Sequence, residues 1–357
     1  MVAILILFLM LLVLVLGHEL GHFLIAKWND VRVDEFGFGI PPKLWGYQPS
    51  GSETEYSINW LPIGGFVRLY GQDGDNGEDP RSFAAKKPWQ KIAILSGGVI
   101  MNFLMAVVLF SFAAWIGYEM PVGSDQVTEN TRHVIGYIEP DSRAQEAGLQ
   151  EGDQLQAIGG QDVTYAGEVG ELLQQASSDA IEITIMRDEN EQSISVQPIF
   201  EDEELQPIGI LPVSLEFQQL SFLEGLNRGV QQTGGFVIEI VTFLSDLVVG
   251  MFTTQESDSA GQVMGPVGLA AELESLRQYG FGFLLNITAA LSVNLAVVNL
   301  LPIPALDGGR IVMVVAEWIK GSPLNQQLEA QIIGVSFIAI LGLTLLITAN
   351  DIIRLFG

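Results

Sequence analysis

The sequence predicts a polytopic α-helical membrane protein that carries one extramembrane α/β module. Three observations support this. Only 16% of the 357 residues are charged, and the mean hydropathy is +0.35. Four stretches, about 2–26, 92–117, 281–301 and 330–348, are apolar and long enough for a ~30 Å hydrocarbon core. Between the second and third stretches the composition turns polar, acidic and rich in strand and turn signals.

The first segment, 1–27, reads as a transmembrane helix. It carries no charge from Met1 to Gly17 and then reads His18-Glu19-Leu20-Gly21-His22. On a helix this HExxH places two imidazoles one turn apart with a carboxylate beside them. That arrangement suits a Zn²⁺ ion with two protein ligands and a general base next to its water. Ionisable groups inside an apolar helix are costly and point to function. His18 lies ~25 Å along the helix, near the far edge of the hydrocarbon core. The segment lacks the basic start and the small-residue cleavage site of a signal peptide.

Residues 28–91 read as a cytoplasmic, membrane-associated hairpin region. Lys and Arg set the orientation. Eight lie in 27–91 (Lys27, Arg32, Lys43, Arg68, Arg81, Lys86, Lys87, Lys91), against three in 119–220 (Arg132, Arg143, Arg187). The positive-inside rule puts the first group in the cytoplasm and the second outside. Residues 56–60 and 65–69 read as strands of one hairpin around Pro62-Ile63-Gly64. Phe36-Gly37-Phe38-Gly39 precedes it, and its glycines allow close backbone approach. Gly71 to Pro80 reads as a turn-rich loop without the spacing of a calcium loop.

A second transmembrane helix, 92–118, leads to the extracytoplasmic module, 119–215. Strands are expected at 133–138, 154–158, 181–186 and 193–198, with a short helix capped by Ser142 and another at 168–176. The order of strand, Pro140, Ser142, Ala147-Gly148-Leu149 and Gly152-Asp153 resembles the PDZ signature of bacterial proteases. Residues 216–280 read as an amphipathic interfacial segment. Glu239 and Asp246 interrupt its apolar run, and parity requires 118–280 to cross the membrane an even number of times if both chemical motifs face the cytoplasm.

The third transmembrane helix, 281–310, ends in Asn299-Leu-Leu-Pro-Ile-Pro-Ala-Leu-Asp307-Gly-Gly. Pro302 and Pro304 break the helix and present Asp307 from irregular backbone. The chain has no Cys, so metal ligands come from His, Asp or Glu, and Asp307 is the best acidic partner for the histidines. Residues 311–357 supply an interfacial stretch and the fourth transmembrane helix. His133, the third histidine, lies in the module and reads as a strand residue. The tryptophans near span ends read as interface anchors. A net charge of -26 excludes nucleic acid as a default partner.

Together HELGH, FGFG, PIGGFVRLYG, NLLPIPALDGG and one PDZ-like module resemble the site-2 protease family of intramembrane zinc metalloproteases, in its bacterial RseP-like branch. Gly98 to Asn102 and Gly265-Pro-Val-Gly268 are weaker echoes. The resemblance implies one zinc ion held by His18, His22 and Asp307, with Glu19 as the catalytic base. It implies that the hairpin, at Ile58, Asn59, Gly64, Gly65 and Val67, pairs with an extended substrate that Asn299 helps hold. The implied partners are the lipid bilayer, single-span proteins of the anti-sigma-factor or signal-peptide-remnant type, and peptide C-termini or trimmed substrate at the module. The implied location is a bacterial inner membrane with the site near the cytoplasmic face. Two rival readings are a membrane transporter, which would show inverted repeats, and a non-catalytic PDZ scaffold with a metal site.

Overall fold

The computed structural model describes residues 2–72, 76–175, 180–197, 200–201, 204–205, 208–250, 265–276, 279–322 and 324–356. Parts of the 71–80 loop, the ends of the expected 168–176 helix and 193–198 strand, and parts of 216–280 lie outside the described residues. Helix α1 (Val2–Trp28) leads into two long strands, β1 (Val33–Tyr47) and β2 (Glu55–Leu69), then α2 (Pro88–Leu95) and α3 (Gly97–Ile116). Next come β3 (Tyr118–Pro121), β4 (Arg132–Ile138), α4 (Arg143–Glu146), β5 (Gln154–Ile158), β6 (Gln161–Asp162), α5 (Val169–Gln175), β7 (Ile181–Arg187) and β8 (Asn190–Val196). The pair β9 (Phe200–Glu201) and β10 (Glu204–Leu205) precedes β11 (Ile210–Gln218). Helices α6 (Phe222–Gly250), α7 (Pro266–Leu276), α8 (Gly280–Asn299), α9 (Asp307–Lys320) and α10 (Gln326–Phe356) follow. The chain forms two compact units, one of 1–113, 222–274 and 284–357, the other of 114–221 and 275–283.

In the first unit, glycines set the spacing between α1 and α3. A Cβ on Gly21 would lie 2.1 Å from the Gly97 carbonyl oxygen, so only glycine permits this approach. Five described helical stretches are long and apolar enough to span a membrane: 2–28, 88–116, 222–250, 280–299 and 326–354. The sequence reading counts four, with 222–250 as an interfacial segment. The 222–250 stretch is α6, an unbroken helix of 29 residues, ~43 Å long by helix rise. Its charges do not break it because Phe236, Val237, Ile240 and Leu244 form one stripe that packs on a core of Phe110, Ala289 and Val293. Near the end of α10, the buried Asp351 accepts from the backbone N–H groups of Gly265 (3.2 Å) and Gly268 (2.9 Å), tying down the Gly-Pro-Val-Gly stretch before α7.

The hairpin differs from expectation. Residues 56–58 and 65–67 do not pair with each other. Phe36, Gly37 and Phe38 lie between them, pairing with Tyr56, Ser57 and Ile58 on one side and with Val67, Phe66 and Gly65 on the other. Strand β1 then bends at Gly39 to Pro42, so that Lys43, Trp45 and Gly46 pair with Asn59, Ile58 and Ser57. The result is a four-segment antiparallel sheet from two bent strands, with 65–69 at an edge. The buried Glu35 on the inner segment ties the others together. It accepts from the Ser57 hydroxyl at 2.6 Å and pairs with Lys43 (3.3 Å) and Arg68 (3.1 Å). Burial pushes its pKa up, but these partners together hold it below the usual carboxylate range.

The second unit is a sheet in the order β3-β11-β4-β5-β7-β8, with β6 on β5 and helices α4 and α5 beside it. Its core is Ile135, Leu155, Ile158, Ile181, Ile183 and Ile185 with helix residues Ala144, Val169, Leu172 and Leu173. The alternation of β7, buried at Ile181, Ile183 and Ile185, is that of a strand with one face inward. Ser142 caps α4 as expected, accepting from the Gln145 N–H at 3.3 Å. Asp153 is buried and held by a bidentate pair with Arg187, at 2.6 Å on each oxygen. Strand β11 is a central strand that the local pattern does not announce.

Candidate metal centre

Helix α1 spaces His18 and His22 by one turn, so both rings leave the same face. Their Nε2 atoms are 3.1 Å apart. After α8 the backbone turns through Pro302 and Pro304 and re-enters helix at Asp307, the first residue of α9. The turn is tight. A Cβ on Gly308 would lie 2.2 Å from the Leu300 carbonyl oxygen, and one on Gly309 2.1 Å from that of Ile303. Asp307 Oδ2 thereby reaches His18 Nε2 at 3.0 Å and His22 Nε2 at 3.3 Å.

The chemistry of these atoms calls for a cation. His22 Nδ1 lies 2.9 Å from the Ile94 carbonyl oxygen, which can only accept, so Nδ1 carries the hydrogen. In neutral imidazole, Nε2 is then a bare lone pair. It faces Asp307 Oδ2, a buried oxygen without a hydrogen-bond partner. Acceptors facing acceptors in a buried site repel unless a positive centre sits among them. Tetrahedral zinc with bonds of about 2.0–2.2 Å separates its ligands by roughly 3.2–3.6 Å. The three observed separations, 3.0 to 3.3 Å, lie at or just below the lower end of this range. Two imidazoles, one carboxylate and no thiolate form a donor set that fits zinc with an open position.

Glu19 stands beside the cluster and is not part of it. It lines a cleft with His22, Asp307, Phe66, Val67 and Arg310. The Val67 backbone N–H hydrogen-bonds its carboxylate. A Cβ on Gly65 would stand 3.1 Å from Glu19 Cγ, so the 65–69 edge runs directly past the base.

The other expected substrate residues divide. Gly65 and Val67 lie on this edge, and Gly64 with φ +80° makes the bend into it. Ile58 is paired on both sides, with Phe38 and Trp45, so its strand offers no edge. Asn59 is buried, and its side chain donates to the Phe38 and Gly39 carbonyls at 3.3 and 3.1 Å. Both are structural in position, because the fold-back of β1 covers their strand. Asn299 ends α8, outside the side chains that line the cleft. Sequence reasoning missed Arg310, one turn after Asp307. The Gln72 amide, with its oxygen turned toward that guanidinium, accepts from Nη2 at 2.7 Å and Nη1 at 2.6 Å. The i, i+3 spacing from Asp307 was the available signal.

Residues 6–343 match peptidase family M50. A Clostridium perfringens protein whose name marks it as a zinc metalloprotease is 35% identical over 340 residues, covering 95% of each chain. Zinc metalloprotease RasP of Bacillus licheniformis is 30% identical over a 429-residue alignment, covering 96% of this chain and 97% of its own. The regulator of sigma-W protease RasP of Bacillus subtilis is 29% identical over 426 residues, covering 96% of each.

Proposed function

The chain belongs to peptidase family M50, the site-2 protease family, and is a zinc metallopeptidase; on that premise we propose that it cuts single-span membrane proteins within the bilayer. The observation that carries this reading is the meeting of His18, His22 and Asp307 beside Glu19 and a free strand edge. In this reading one zinc ion is held by those three side chains. When bound, it would polarise the scissile carbonyl and acidify a water.

Glu19 takes the proton of the attacking water on its carboxylate and returns it to the leaving amide nitrogen. The water oxygen adds to the carbonyl carbon, the C–N bond breaks, and the amine departs with the returned proton. Arg310 gives the cleft a fixed positive charge, which would favour negative charge developing there. A helical substrate hides its carbonyls in i→i−4 bonds and must unwind first. The 65–69 edge stabilises the extended form by main-chain pairing.

Substrates of the anti-sigma-factor or signal-peptide-remnant type are what the family resemblance implies, and the sigma-W name of the Bacillus subtilis relative supports the first. The 114–221 module is read as PDZ-like from the order β4, α4, Gly152-Asp153, β5. Strand β3 pairs with Leu215–Gln218, so a peptide would add beside 210–213. The site faces the cytoplasm and the module the outside of a bacterial inner membrane.

The test is zinc content and cleavage of a single-span reporter. Glu19→Gln should keep zinc and lose at least ~10²-fold in rate, since it removes the base and no ligand. Asp307→Ala should lose both. Full zinc occupancy and turnover in Asp307→Ala would remove it from the ligand set.

A further inference from the structure

His18 and His22 differ in how their second ring nitrogen is held. For His22 the partner is a backbone carbonyl, and the proton position follows. For His18, Nδ1 lies 3.3 Å from the side-chain nitrogen of Asn102. Asn102 is wholly buried in α3, and its Oδ1 has no partner. With the amide in that orientation, its N–H donates to His18 Nδ1. The His18 hydrogen is then on Nε2, pointing at Asp307 Oδ2 and His22 Nε2. A protonated nitrogen has no lone pair for a metal. Rotating the amide by 180° exchanges two atoms of nearly equal size. Oδ1 then accepts from Nδ1–H, and the Nε2 lone pair joins the cluster.

We propose that Asn102 is a positioning residue whose carboxamide oxygen accepts the His18 Nδ1–H and so fixes the tautomer that offers Nε2 to zinc. The inference rests on the zinc-centre reading above. Two features pre-set the amide for this role. Its backbone carbonyl accepts from the Ser292 hydroxyl of α8 at 2.8 Å, and both residues are wholly buried, which anchors this turn of α3. Gly98, one turn earlier on the same face, leaves the space the two rings occupy. A carbonyl oxygen on His22 and an amide oxygen on His18 then play matching parts, each orienting a ligand from behind.

The experiment measures zinc affinity of the purified full chain by chelator competition, and the visible spectrum of the cobalt-substituted protein. Asn102→Leu keeps the volume without the acceptor and should weaken zinc binding ~10–100-fold, with an altered cobalt spectrum. Asn102→Asp keeps an acceptor and should stay within about threefold of wild type, with the spectrum retained. Asn102→Ala needs no repacking and should behave as Asn102→Leu does, which guards against a leucine variant that fails to fold. Wild-type affinity in both the leucine and the alanine variant would overturn the proposal. Equal losses in the aspartate and leucine variants, at equal stability without metal, would also overturn it, because packing and not the acceptor would then matter. Failure of the ligand assignment is read separately, from Asp307→Ala.

Discussion

A methyl group on Gly98 would stand 2.4 Å from Cε1 of His18, and 2.5 Å from Nε2 of His22. Such contacts force one or both rings to move. Gly98→Ala should therefore weaken zinc binding at least ~10-fold and abolish reporter cleavage. Alanine is the better helix former by about 1 kcal/mol, so α3 itself should not suffer. Metal analysis with a thermal melt checks this. Wild-type zinc affinity and turnover in Gly98→Ala would show that the rings have more room than the structure gives them.

The edge at 65–69 should matter through its backbone. Val67→Pro constrains the strand and also removes the N–H that bonds the Glu19 carboxylate, so it disturbs the pairing edge and the base together. Each lost main-chain bond to substrate costs about 0.5–1.5 kcal/mol, and ~1.4 kcal/mol is tenfold in rate. We expect about tenfold slower cleavage with zinc retained, and a smaller effect from Val67→Ala. Ile58→Pro should instead destabilise the sheet, since both sides of that residue are paired. Wild-type cleavage by a folded Val67→Pro protein would take this edge out of the mechanism.

Membrane topology follows from parity. Residues 275–283 pack within the same compact unit as 114–221. On that basis we expect the chain between residues 118 and 280 to return to the side it left, despite the length of α6. We expect α1, α3, α8 and α10 to cross, which with the Lys and Arg distribution places both termini outside. The chain has no native Cys, so single cysteines report cleanly. Cysteines at the exposed Ser50 and Asn190 should label from opposite faces, Ser50 from the cytoplasm. Labelling of both from one face would overturn the arrangement.

The module should lose stability in mild acid. Ser214 Oγ accepts from the Ala166 N–H at 2.9 Å and lies 3.0 Å from His133 Nδ1. The hydroxyl keeps a second lone pair and its own hydrogen, so it can serve either neutral tautomer of the ring. Burial pushes the His133 pKa down, with Glu168 opposing. The unfolded chain, with a histidine pKa of about 6.5, therefore binds more protons than the folded one as pH falls. The stabilising contribution is complete above that pH and is lost as pH drops through it toward the folded value. Hydrogen exchange of β4 and β11 in the full chain should show less protection at pH 5.5 than at 7.5, after correction for intrinsic rates. In His133→Gln the difference should vanish. Its persistence would assign the effect to other groups.

The sequence by itself determined what depends on short-range pattern. The helical run of 2–28, the one-turn spacing of His18 and His22, the Ser142 cap and the alternation of β7 are written in residues a few positions apart. Asp307 was legible as a ligand candidate because a chain without Cys leaves few donors. The tertiary structure decided everything that depends on which segments meet. It put 33–38 between 56–58 and 65–67, because strand pairing joins segments that no local signal matches. That choice covered Ile58 and Asn59 and left Gly65 and Val67 beside Glu19. It built α6 as a continuous helix, since one packed stripe outweighs two charges on the other face. It placed Ile94, Asn102 and Arg310 around the ligands, each brought there by the close approach of backbones that Gly21, Gly97 and Gly308 allow. Side chains that orient a ligand act through a single hydrogen bond across a gap of tens of residues, and such bonds exist only once the helices are packed.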